Sequence, residues 1–74
     1  MELKNAIYEI VSETIGIPIE NVNMDITLAD LGADDLDILQ IFESIEHMYG
    51  KSINTTKLGN IKTVSDIISF VKNI

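Results

Sequence analysis

The chain has no cysteine and no arginine, a single proline, and no long uninterrupted apolar run. Without cysteine there is no disulfide framework and no zinc site built on thiolates. At 74 residues the chain allows one domain. A chain this short buries only about 60% of its unfolded surface, so it must pack economically. No apolar stretch approaches the roughly 20 residues that span a bilayer, and no membrane span is expected. The start, Met1-Glu2-Leu3-Lys4-Asn5, has no basic flank before a hydrophobic stretch. That predicts no signal peptide and a cytoplasmic location. With arginine absent, five lysines face twelve acidic residues, for a formal charge of −7. Such a surface repels a phosphate backbone, which argues against nucleic acid as a partner. The same field attracts basic patches on other proteins. It also keeps a small protein in solution, and composition does not choose between these roles.

What the chain does have is helical periodicity, with 46% hydrophobic residues to build a core. Leu3, Ala6, Ile7, Ile10, Val11, Thr14 and Ile15 recur at the spacing of one helix face. Gly16 suits the end of that helix, and Pro18 prevents its resumption. Residues 17–34 form a long connection, with Val22, Ile26, Leu28 and Leu31 as expected anchors and a short helical turn near Asn21. A second helix is predicted from Leu36 to Tyr49, ended by Gly50, with Ile38, Ile41, Phe42, Ile45, Met48 and Tyr49 in one apolar arc. Leu36 falls opposite that arc, with Gln40, Glu43 and His47. Residues 51–62 read as irregular, with at most a short helix at Thr55 to Leu58 interrupted by Gly59. The last helix opens with Thr63 as N-cap and Asp66 three residues on, and turns Ile67, Ile68, Val71 and Ile74 inward with Phe70 at the margin. The expectation is an all-α small bundle of three long helices, one short helix and a long first loop.

Asp34, Asp35 and Asp37 cluster where the second helix begins. Asp35 is expected as the N-cap, and Asp37 favours the positive end of the helix dipole. Three acids at a helix start need no function beyond that. Adjacent exposed carboxylates lack the burial that would separate them into general acid and base. A calcium loop fails at its third ligand in Asp35-Leu36-Asp37-Ile38-Leu39. Weak divalent-ion binding at the acids stays open, but no defined metal site is expected. His47 lies on a polar face as a solvated residue, and Ser44 sits well inside the helix. With no pocket, nucleophile–base pair or metal site indicated by the sequence, no catalytic residue is assigned and no enzyme is expected.

The run Asp30-Leu31-Gly32-Ala33-Asp34-Asp35-Leu36-Asp37-Ile38-Leu39-Gln40-Ile41 closely resembles the prosthetic-group attachment motif of the acyl carrier proteins. The resemblance extends through the helix–Gly16–Ile17 junction, the Glu46 to Gly50 helix end and Ile61-Lys62-Thr63-Val64. It implies a four-helix bundle whose second helix docks on basic patches of carrier-dependent enzymes, with room between the helices for an acyl chain. In that family a serine within Asp-Ser-Leu carries 4′-phosphopantetheine, and here its position is Asp35, which cannot form the phosphodiester. No cofactor is therefore expected on the chain as written. Asp34, Leu36, Asp37 and Glu46 match family positions used for partner recognition, whereas Gln40 and His47 stand where acids are usual. Thr55, Lys57 and Gly59 likewise replace a segment typically rich in acids.

Two functional readings follow. In one, this is a monomeric acyl-carrier domain whose natural form has serine at 35, with aspartate introduced to keep it unmodified. In that form it would present acyl intermediates to fatty-acid or polyketide-type enzymes. In the other, it is a natural carrier-like module that never bears the prosthetic group and acts as a decoy, regulator or structural subunit.

Overall fold

The computed structural model describes residues 2–53 and 59–73. Helix α1 spans Leu3–Ile15 and buries Ala6, Ile7, Ile10 and Val11, the centre of the expected face. It ends where Gly16 takes φ 82° and its N–H bonds the Ser12 carbonyl, joined by the N–H of Ile17. That left-handed conformation is one L side chains resist, which fixes the stop. Pro18 then opens a 3-10 turn at Ile19–Asn21, close to the turn expected near Asn21.

The long first loop packs through its own side chains. Val22 and Leu28 are buried, and Ile26 and Leu31 lie partly buried against the core. The Asn23 side-chain oxygen accepts from the N–H of both Asp25 and Ile26, a local turn that satisfies the backbone without a helix. Further on, the loop is stitched to the start of the last helix. Leu28 N donates to Lys62 O at 2.8 Å, Val64 N to Ile26 O at 3.2 Å and Ser65 N to Met24 O at 3.0 Å. An isolated antiparallel bridge joins Thr27 and Thr63.

Helix α2 spans Asp35–Tyr49 and α3 spans Val64–Lys72. The fold is all-α, with α1 packed against both α2 and α3. Thr63 caps α3 as expected, in a reciprocal box with Asp66. Phe42 of α2 meets Phe70 of α3 edge-to-face, with ring centroids 5.5 Å apart at 82°. This is the arrangement aromatic quadrupoles favour. The short helix anticipated at 55–58 and the inward Ile74 lie outside the described residues, as do Thr55 and Lys57.

The expected arc of α2 needs one correction. Ile41, Phe42 and Ile45 are buried, but Met48 and Tyr49 are 49% and 41% exposed. Both belong to the last turn, where Gly50 at φ 66° turns the chain aside. The chain then brings Ile53 into the core, only 7% exposed. Val64, directly after the Thr63 cap, is a second core residue that periodicity did not mark.

Candidate functional site at the head of the second helix

The approach to α2 is wound around Leu28. Its carbonyl accepts from the N–H of both Leu31 and Ala33, and Gly32 at φ 86° lets the chain turn between them. Because Leu28 is itself buried and tied to Lys62, the first residue of α2 is delivered at a fixed place.

The helix cap differs from expectation by one residue. Asp34, with extended backbone, is the N-cap, and Asp35 is the first helical residue. The Asp34 carboxylate accepts from Asp37 N at 2.9 Å, and the Asp37 carboxylate accepts from Asp34 N at 3.2 Å. Two free backbone donors are thus satisfied reciprocally. The three-residue spacing decides the frame, since Asp34 has an acid three positions on and Asp35 has Ile38. Asp35 is left exposed in the first turn, where the helix dipole favours its charge.

Leu36 follows at 61% exposure, the highest among the large hydrophobic side chains of the described residues. Gln40, Glu43 and His47 continue along the same solvent face as α2 runs on. Toward α1 that face borders an open depression of about 760 Å³ lined by Thr14, Gln40, Glu43, Ser44, His47 and Met48. Ser44 and His47 share this depression without a hydrogen bond between them, so it holds no activated nucleophile. Among the described residues no group of three His, Asp or Glu side chains could hold a metal ion. Glu46 lies at the edge of this face beside Glu43 and His47, and its partly buried carboxylate accepts from Ile53 N at 2.6 Å.

A family model described as "Phosphopantetheine attachment site" matches residues 5–71. The chain belongs to that family. Acyl carrier proteins of Streptococcus pyogenes serotypes M3, M1 and M18 are 32% identical to it over 72 residues, covering 97% of this chain and 95% of theirs.

Membership makes this acyl-carrier-like domain a carrier-type protein and not an enzyme. The family's prosthetic group needs a hydroxyl oxygen for its phosphodiester. The helix head supplies Asp34, Asp35, Leu36 and Asp37, and none of these has one. The chemistry of the donor set therefore does not fit 4′-phosphopantetheine at this end of α2. Ser44, the serine within α2, lies more than two turns further along the helix, and the phenol of Tyr49 lies at its far end. Among the described residues no helix is long and apolar enough to cross a membrane. Periodicity missed two features of the site. The Asp34–Asp37 box was readable by the rule that identified Thr63 and Asp66. The Glu46–Ile53 bond spans a helix end and has no comparable sequence signal.

Proposed function

We propose that the chain is an acyl-carrier-type docking module in which Asp35 occupies the attachment position, so that it meets carrier-dependent enzymes without being loaded. The observation that supports this most is Leu36, strongly exposed at the helix head between the free carboxylate of Asp35 and the capping pair Asp34 and Asp37. An apolar knob ringed by acids suits a basic surface with an apolar recess, and the formal charge of −7 speeds such encounters. Gln40 and His47 extend the face, with Glu46 at its margin. The module works as a single domain and a monomer in the cytoplasm, as decoy, regulator or structural subunit on those enzymes.

A second reading is favoured by the cap. Because Asp34 and Asp37 hold the helix head, residue 35 can be serine or aspartate with the same backbone. With serine there, the scaffold would bear 4′-phosphopantetheine and present acyl intermediates in fatty-acid or polyketide-type synthesis.

Intact mass after incubation with coenzyme A and a broad-specificity phosphopantetheinyl transferase separates these outcomes, run on the chain and on Asp35→Ser. Gain of the prosthetic-group mass by the variant alone identifies position 35 as the attachment point and its carboxylate as the block. Gain by the unchanged chain overturns the docking-only reading. If neither gains it, the recognition surface has diverged with residue 35 and the serine reading fails.

A further inference from the structure

Twelve carboxylate side chains give the molecule its charge, and three of them, Asp37, Glu46 and Asp66, are drawn partly out of solvent. Each of these three accepts from backbone N–H. Asp37 takes Asp34 N at 3.2 Å, Asp66 takes Lys62 N and Thr63 N at 3.0 Å each, and Glu46 takes Ile53 N at 2.6 Å. Asp37 and Asp66 work inside capping boxes at the start of their own helices. Glu46 instead reaches past the end of its helix to a residue seven positions away.

Glu46 in fact gathers the whole turn-off. Its carbonyl accepts from Gly50 N at 2.8 Å and Lys51 N at 3.3 Å, while its carboxylate takes Ile53 N. The residue so held is buried in the core. A charged acceptor makes a backbone hydrogen bond roughly twice as strong as a neutral one. Among the described residues, what otherwise holds the segment 51–53 is the Ile53 side chain and the two turn bonds.

We propose that Glu46 is a conformational latch: its carboxylate holds segment Lys51–Ile53 against α2 and keeps Ile53 seated. With the bond broken, Gly50 serves as pivot, the segment lifts, and the core opens at the edge Ile53 fills while α2 stays wound. The exposed Glu43 and His47 remain for contact on the docking face, and the Glu46 carboxylate belongs to the latch. This does not rest on Asp35 being the attachment position.

Hydrogen exchange at the Ile53 amide tests the latch in the full chain, in Glu46→Ala and in Glu46→Gln. Loss of a hydrogen bond to a charged group predicts exchange about 10- to 100-fold faster at Ile53 in Glu46→Ala. The amides of Ile41 and Phe42 should keep their protection. Glu46→Gln retains an acceptor oxygen and should stay within about tenfold of the parent at Ile53. Unchanged exchange at Ile53 in Glu46→Ala overturns the latch, as does equal acceleration at Ile41 and Phe42.

Discussion

Alanine at position 34 would remove one hydrogen-bond acceptor from the head of α2 and leave every helical residue in place. Asp34 Oδ1 accepts from Asp37 N at 2.9 Å, while Asp34 N donates to Asp37 Oδ2 at 3.2 Å. Asp34→Ala keeps the second bond and loses the first, so one first-turn N–H loses its side-chain partner. Loss of an N-cap of this kind costs about 0.5–2 kcal/mol, typically ~1. This cap is exposed, so water replaces part of the lost bond and the middle of that range is expected. In a domain this small, 1 kcal/mol moves Tm by roughly 4–8 °C. Asp35→Ala removes a carboxylate that acts on the helix through the dipole alone, about 0.3–1 kcal/mol at low ionic strength. Salt screens that contribution, and alanine's better helix propensity offsets some of it. Urea unfolding followed by circular dichroism, at low and high salt, should show Asp34→Ala destabilised in both. Asp34→Ser should be close to parent, and Asp35→Ala should be nearly indistinguishable from parent at high salt. If Asp35→Ala lost as much as Asp34→Ala at both salt concentrations, Asp35 would be the cap and the helix frame described above would be off by one.

Phe42→Ala should lose about 3–5 kcal/mol, because Phe42 is 1% exposed and its ring also meets Phe70. A loss under about 1 kcal/mol in the same urea assay would mean the α2–α3 contact does not hold the core. Asp66 sets part of the acid response. The N–H of Lys62, and then that of Thr63, bonds its carboxylate and lowers its pKa below the ordinary value. A folded pKa below the unfolded value of ~3.9 means the stabilisation is complete above that value and is lost as pH falls through the folded one. The stability gap between parent and Asp66→Asn should therefore be present at neutral pH and shrink below about pH 4. A gap that held constant down to pH 2 would count against a charged role for Asp66.

Most of the bundle was legible from apolar spacing and two punctuation residues. Gly16 and Gly50 both end helices in the left-handed region, and both stand just after the last periodic residue. The start of α3 followed from Thr63 and Asp66 for the same local reason. Periodicity failed where the chain leaves a helix. Met48 and Tyr49 keep the period of α2 but stay exposed while Ile53 is buried, because spacing along one helix carries no information about where the chain turns next. The α2 cap differs for another reason, since three acids in four positions offer several frames and the Asp34–Asp37 pair is the one that closes a box. The candidate site was legible in its residues, with Leu36 outward as the helical wheel required. Its geometry was not, because it depends on Leu28 bonding to Lys62, a contact between segments distant in sequence.

That bond between Leu28 and Lys62 also orders events during synthesis. Both α1 and α2 are made before Lys62, and helices wind in microseconds, far faster than a ribosome adds residues. The turn that delivers the head of α2 nevertheless lacks its backbone ties to the last helix until the segment from Lys62 to Ser65 has emerged. A nascent chain halted between α2 and α3 would hold a wound second helix with its acids and Leu36 in place, aimed at nothing in particular. On the docking reading proposed above, presentation of that face waits until the last helix begins, and an unfinished chain would make a poor competitor for the enzymes its completed form would meet.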